Sequence, residues 1–450
     1  MPGKAGAGAH ARRPADVLQF PGSRKAAGGG PAAHWLGRAE RQLLDQLQRE
    51  ALQYFLDNQL PHGLVLDRQR NHGPRSAGGL CSTAATGMGL MALALAAAPE
   101  HRMLTPDEAR ARVRACLQTA LERLPCDHGM VPHFLDAATL EPVGGDWIST
   151  IDSSWLTAGG LLAASLLGCP ELQALAARLY GRIDWRYWAA GEPGRFRHGK
   201  APDGRFLPHP WDRLNAETAF MYLLGVGADS AVALPASSWR ALDPHYGSVA
   251  GLRFASADLG LFVFQYTLEL VDFRAYQVPG ALDLYEEARV ATQANYQVCR
   301  SAAETFRTYR EFWGLSAGDG PGPDNGRDTY RCYAPQGEVD GTAHVMATLA
   351  SLSTWPELVL ENVGAVDKEA RHAIHGRYGY SNINLDRYWV SRDVVGIDVG
   401  AAVLALDNFL NHGRVRRVFQ QLDCVLQGLK RLETRRRPTV PPAPERRRAA

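Results

Sequence analysis

Six stretches of this chain are apolar or small almost all the way round a helix, and they constrain the fold more than any other feature. They are 82–97 (STAATGMGLMALALAA), 149–167, 215–227 (NAETAFMYLLGVG), 257–271 (ADLGLFVFQYTLELV), 341–353 (GTAHVMATLASLS) and 398–410 (DVGAAVLALDNFL). A helix with no polar face has to be buried on every side. Amphipathic, charged segments alternate with them at 38–57, 106–124, 170–180, 281–302 and 356–372, with 235–242 as the weakest of the set. Their apolar residues recur at three- and four-residue spacing, which gives one buried stripe and one solvent face. Inner helices each preceded by an outer one make an all-α chain, an (α/α)6 toroid of six inner and six outer helices. The alternating, turn-rich connection 127–146 (DHGMVPHFLDAATLEPVGGD) predicts a small β-hairpin at the rim.

Charge is unevenly placed along the 450 residues. The net charge is +2, yet residues 1–30 carry +4 and residues 434–450 carry +5, which leaves −7 on the chain between them. A nucleic-acid footprint on the folded part is therefore excluded as an expectation. Residues 1–34 are rich in Gly, Ala, Pro and Arg, and 433–450 in Pro and Arg; both read as disordered basic tails flanking one domain over 35–432. Arg12-Arg13 is followed by no apolar run long enough for a signal peptide, and 156–167 is too short to span a bilayer. The expectation is a cytoplasmic protein with no membrane span, or a periplasmic or secreted one if the true start differs. The seven Cys are scattered without a C-x-x-C pair, so neither a disulfide framework nor a zinc site is expected.

Acids gather where the chain enters the inner helices: Asp146, Asp152, Glu217, Asp258, Asp340 and Asp398. One acid in a first helical turn complements the helix dipole, and Ser149-x-x-Asp152 fits a capping box. All of them on one rim suit a cleft in which carboxylates divide general-acid and general-base work. Glycoside hydrolysis needs that pairing, with the two groups roughly 6.5–9.5 Å apart in inverting enzymes. Trp147, Trp155, Trp211, Tyr266, Trp313 and Trp389 lie close to the same positions, and aromatic faces stack on the C–H faces of sugars. Trp185, Trp239 and Trp355 read as core. Rival motifs are weak. Gly87-Met-Gly89 lies inside a helix with no βαβ unit around it, the Gly-rich 318–326 lacks a Lys-Ser/Thr ending, and His372 and His375 read as a surface pair.

GLVLDR (63–68), STAATGMGLMAL (82–93), STIDSSWLTAGGLL (149–162), LYGRIDWRYW (from 179), NAETAFMYLLGVG (215–227), LFVFQYTLELVDFR (261–274), WGLSAGDGPGP (313–323), DGTAHVMATLASL (340–352), GRYGYSNINL (376–385) and GIDVGAAVLALDNF (396–409) together resemble the glucoamylase-like domain family. That family includes bacterial endo-β-1,2-glucanases and the cyclising domain of cyclic β-1,2-glucan synthases. The resemblance runs in family order over roughly 38–420. It implies the same toroid and action on β-1,2-linked glucose chains without metal or cofactor, by inversion in the glucanases and by retaining transfer in the cyclising domains. It further implies that Glu217 is the proton donor and that Asp398 binds substrate or relays a proton to the attacking water, with Asp152 and Asp146 as the other catalytic candidates. Arg68, Trp147, Trp211, Gln265, Tyr266, Asp272, Arg274, Trp313, Asp319, Asp340 and Trp389 are the expected substrate-binding residues.

The chain departs from the family pattern at several positions. Trp147 stands where the family commonly has Glu, Ala216 replaces Asn, Thr267-Leu268 replaces Ser-His, and Ala401 replaces Pro. The expected function is a hydrolase of β-glucan, β-1,2-linked first, acting on an oligo- or polysaccharide. The alternatives are a retaining transglycosylase, or a glucan-binding protein that has lost catalysis.

Overall fold

A computed structural model describes residues 36–191, 194–366 and 371–437. The expected tail at 1–34, residues 438–450 of the tail expected at 433–450, and the His372 side chain lie outside the described residues, whereas 433–437 are ordered, with Arg435–Arg436 in a strand. Five of the six apolar stretches form helices at the expected places: α1 (Thr83–Ala96), α2 (Thr150–Leu166), α3 (Ala216–Val226), α4 (Phe262–Leu270) and α6 (Gly396–Leu410). The sixth, α5, is one α turn at Val345–Thr348 continued by a 3-10 turn at Leu349–Ser351. Its hydroxyls explain the shortness. Thr348 Oγ1 donates back to the Val345 carbonyl and Thr354 Oγ1 to that of Ser351, and such bonds compete with the regular helix ladder. The α4 stretch also begins later than its pattern suggests. Ser256 has a left-handed φ of 53°, and Gly260 lies against the backbone of Ser316 and Tyr333, so the chain before Phe262 turns rather than winds.

These six segments pack in sequence: α1 on α2, α2 on α3, α3 on α4, α4 and α5 through the 3-10 turn, and α6 on both that turn and α1. The contacts therefore close on themselves. Every residue of α1 is buried, as an apolar helix without a polar face requires. At the α1–α2 seam the two backbones touch. A Cβ built on Gly87 would meet the Trp155 carbonyl oxygen at 2.2 Å, and one on Gly159 would meet that of Gly87 at 2.1 Å. Only glycine permits so close an approach.

The charged segments lie outside this set. Arg38–Asn58 buries Leu44, Leu47, Ala51, Leu52 and Phe55 on one stripe. Pro106–Glu122 starts at a reciprocal capping box, in which Glu108 N–H donates to Thr105 Oγ1 at 3.2 Å and Thr105 N–H to Glu108 Oε2 at 2.7 Å. The weak segment 235–242 yields only the short helix Ala236–Arg240.

Small antiparallel sheets lie at the N-terminal ends of the apolar helices. The largest has four strands in the order β1 (Leu80–Ser82), β2 (Pro132–Asp136), β3 (Pro142–Ser149) and β4 (Gly199–Lys200). The hairpin expected at 127–146 is its β2–β3 pair. β1 runs into α1 and β3 into α2, so the sheet fixes both helix starts. β5 (Ala317–Gly320) and β6 (Thr329–Cys332) form a second hairpin. Arg68–Arg70 pairs with Asp393–Val395 directly ahead of α6. At the chain's other end Arg435–Arg436 pairs with Tyr276–Gln277. No helix among the described residues is long and apolar enough to cross a membrane.

Candidate active site

Three acids stand in the first turns of three apolar helices: Asp152 on α2, Glu217 on α3 and Asp398 on α6. Each turn is prepared by what precedes it. Ser149 and Asn215 cap α2 and α3, and the Thr218 N–H donates to Asn215 Oδ1 at 3.1 Å. At α6 the Gly396 N–H is taken by the Asp67 carbonyl at 2.7 Å, which brings the Asp67-Arg68 pair against the same turn. Tyr266, one turn into α4, donates its hydroxyl to Asp398 Oδ1 at 3.1 Å.

Arg68 binds the group together. Its Nη1 reaches both oxygens of Asp319, at 3.2 and 2.9 Å, and its Nε reaches Asp67 Oδ2 at 3.2 Å. Asp319 is buried on β5. Asp152 accepts the Ser149 hydroxyl and faces His133 Nε2 at 3.5 Å. The capping box expected there is therefore altered, because the carboxylate takes the Ser149 hydroxyl while the Ser149 N–H goes to the Val131 carbonyl.

Burial dominates the electrostatics. It pushes Glu217 up to about 8, and the Asp152 charge adds to the effect. It pushes Asp398 up to about 7, against the Tyr266 hydrogen bond, while Asp319 and Asp67 add like charge and Arg68 opposes. Asp67 and Asp319 are likewise raised by burial, against the pull of Arg68. Glu217 has no hydrogen-bond partner among the described residues, although it is only partly exposed. The result is a Glu217 carboxyl that keeps its proton near neutral pH and an Asp398 carboxyl that releases its proton first, an arrangement suited to proton transfer.

The expected site residues divide in two. Asp152, Glu217, Asp398, Tyr266, Arg68 and Asp319 come together. Trp389 joins from the side, donating its indole N–H at 2.9 Å to Asp328, whose charge acts on Asp319. Trp211 packs against His198 with ring centroids 4.0 Å apart and planes tilted by 36°, and donates to Thr150 Oγ1 at 3.0 Å beside the start of α2. Trp147 is partly exposed on β3, and its indole N–H meets no acceptor among the described residues. Asp146 has its backbone in β3, but its side chain lies outside the described residues.

The others point elsewhere. Gln265 is buried between helices and donates to the Ala347 carbonyl and Ser351 Oγ. Trp313 and Trp155 are buried in the core, and Trp313 donates to the Leu358 carbonyl. Asp272 and Arg274 follow the C-terminal end of α4 and pair with each other at 2.8 Å. Asp340 accepts from the Thr342 N–H at 2.9 Å and faces Arg331 at 3.6 Å, while Asp258 is held by Arg213 at 2.8 Å. Trp185 and Trp239 are core as expected, whereas Trp355 is only partly buried, beneath Arg289.

Sequence reasoning missed Asp67, His133 and Asp328. Asp67 adjoins Arg68 in GLVLDR, so an acid next to a selected arginine was the available signal. His133 and Asp328 sit on or beside rim strands, where side-chain alternation alone does not say which face meets the cleft.

The Glycoamylase family model matches residues 208–423, which include Glu217, Tyr266, Asp319 and Asp398. Over those residues, a little under half of the chain, the sequence is similar to that family. An endo-β-1,2-glucanase from Chitinophaga pinensis, solved with sophorotriose and glucose, superposes with a TM-score of 0.78 at 18% identity, covering 89% of this chain and 99% of that one. A β-1,2-glucanase from Parabacteroides distasonis gives 0.76 at 18% identity, over 87% of this chain and 60% of that one. An endo-β-1,2-glucanase from Talaromyces funiculosus, solved with sophorose, gives 0.60 at 12% identity, over 85% and 86%. At these identities the likeness establishes a shared glucoamylase-like fold. No curated protein matches the sequence.

Proposed function

We propose that this glucoamylase-like chain is a glycoside hydrolase that cleaves β-linked glucan, β-1,2-glucan first, with inversion. The observation that carries the reading is that Glu217 and Asp398 flank Tyr266, which donates to Asp398 at 3.1 Å and feels both charges, with burial holding one acid up to about 8 and the other up to about 7. Glu217, protonated, donates to the leaving glycosidic oxygen. Asp398, ionised first and held by the Tyr266 hydroxyl, takes the proton of the attacking water directly or through an intervening hydroxyl. Asp152 lies next to Glu217, and its charge helps keep the acid protonated. The shared fold with β-1,2-glucanases supports the linkage, and the net negative charge over the central chain is compatible with an uncharged polymer. The closed succession of apolar helices supports an (α/α)6 toroid as the catalytic domain over about 35–432, with cleft-forming hairpins at one end.

Incubation with β-1,2-, β-1,3-, β-1,4- and α-1,4-glucans, followed by product chromatography, tests the reading. New reducing ends from the β-1,2-glucan are expected, and proton NMR should show the α-anomer released first. Cyclic or lengthened products with the β-anomer would instead indicate retaining transfer. Glu217→Gln is expected to lower kcat by about 10²–10⁴-fold with the fold intact; an unchanged rate rules out the assigned acid.

A further inference from the structure

The β5–β6 hairpin carries a residue that the reading above leaves unused. Tyr330 lies on β6 directly opposite Asp319 on β5. Cross-strand partners project to the same side of a hairpin with Cβ atoms roughly 4.5–5.5 Å apart. Asp319 is fixed on that side by its two bonds to Arg68, so Tyr330 faces the carboxylate group too. The electrostatics agree with the geometry. Burial and then the charges of Asp398, Asp67 and Glu217 all push the Tyr330 hydroxyl up, and Tyr330 in turn acts on Tyr266. Despite this company Tyr330 is 52% exposed as a residue. A phenol that lies opposite Asp319 and feels the charges of both Asp398 and Glu217, yet keeps half its surface open, has area for a ligand to cover.

We propose that Tyr330 is a substrate-positioning residue, its ring and hydroxyl holding the glucosyl unit that spans Glu217 and Asp398. This inference rests on the glycosidase reading of the site. The phenol stays protonated throughout and serves as a donor, so no covalent step involves it. Its work divides into two parts. The ring supplies an apolar face for the sugar, and the hydroxyl donates to a sugar hydroxyl and sets the angle of the scissile bond.

The test is steady-state kinetics of wild type, Tyr330→Phe and Tyr330→Ala on β-1,2-linked gluco-oligosaccharides, with calorimetric binding of the same oligosaccharides in a Glu217→Gln background. Tyr330→Phe keeps the ring, so KM should stay within about threefold while kcat falls about ten- to a hundredfold. Tyr330→Ala should also raise KM, and weaken binding in the inactive background, by about tenfold or more. If wild type cleaves the oligosaccharides and both variants match it in kcat and KM, Tyr330 has no such role while the glycosidase reading stands. If wild type neither binds nor cleaves any glucan of the panel, both fall together. Should Tyr330→Ala fail to fold, Tyr330→Phe decides alone.

Discussion

The two ends of the apolar helices use acidic residues in opposite ways. At the N-terminal ends Glu217 and Asp398 meet no arginine directly, and burial lifts both toward neutrality, to about 8 and about 7. At the C-terminal ends the buried Glu269 and Asp407 and the partly buried Asp272 each meet an arginine. Glu269 on α4 pairs with Arg416 at 3.1 Å, Asp407 on α6 with Arg414, and Asp272 with Arg274 at 2.8 Å. Arg414 also reaches Glu100 at 2.6 Å, so its guanidinium supplies positive charge to a Glu100, His101 and Asp407 group that has metal-ligand spacing. Burial would lift Asp272, but Arg274 brings it below the usual carboxylate range. The helix dipole favours anions at the first end and opposes them at the second. The protein thus leaves Glu217 and Asp398 without an arginine in their helical first turns, although Asp67 and Asp319 nearby pair with Arg68, and it pairs Glu269, Asp407 and Asp272 at the far ends. One end carries acids lifted by burial, and the other carries ion pairs that tie the helices together.

The sharpest way to break this contrast is Arg416→Ala. It leaves Glu269 buried with only Asn408 and Ser353 as partners, and denaturant melts should show a loss of about 3–5 kcal/mol. Activity per folded molecule should be kept, the reverse of the pattern expected for Glu217→Gln. Comparable inactivation by both would erase the division between the ends.

A smaller effect reads the uncompensated end through pH. Both acids bind protons more tightly folded, at about 8 and about 7, than at their ordinary values of 4.5 and 3.8. Their contribution to stability is therefore full below about pH 4 and is lost as pH rises through 7 and 8. Thermal melts should fall over that range in wild type and fall less in Glu217→Gln, which should be the more stable protein at pH 9. The same values predict a bell-shaped kcat/KM with its top between about pH 7 and 8. The finest test is Arg68→Gln. Arg68 lowers Asp398, so removing its charge should move the acidic limb of that bell upward by about half a unit to one unit and leave the alkaline limb in place.

Much of this was legible in the sequence because it rests on periodicity. The all-round apolar pattern located α1, α2, α3 and α6 to within a few residues, and helix-start acids sent attention to Asp152, Glu217 and Asp398. Side chains whose direction depends on tertiary packing were not legible. Gln265 and Tyr266 are neighbours on α4, yet one turns into the core and the other toward Asp398, and Asp272 lies just past the far end of the same helix. Nothing in a linear motif separates those destinations. Tyr330 was invisible for a related reason: its place opposite Asp319 depends on the register of a hairpin whose short strands carry no clear alternation.

The glycine seam between α1 and α2 has a consequence for how such a chain can vary. Every replacement at Gly87 or Gly159 drives a side chain into a neighbouring carbonyl, so those sites tolerate no substitution without moving the first turn that carries Asp152. The rim residues have no such restriction, since Tyr330 and Trp147 both keep open surface. Mutational freedom is thus sorted by position. The joint that holds the Asp152 turn is closed to change and these rim positions are open to it, so on the proposed glycosidase reading the sugar contacts can drift while the Asp152 turn stays put.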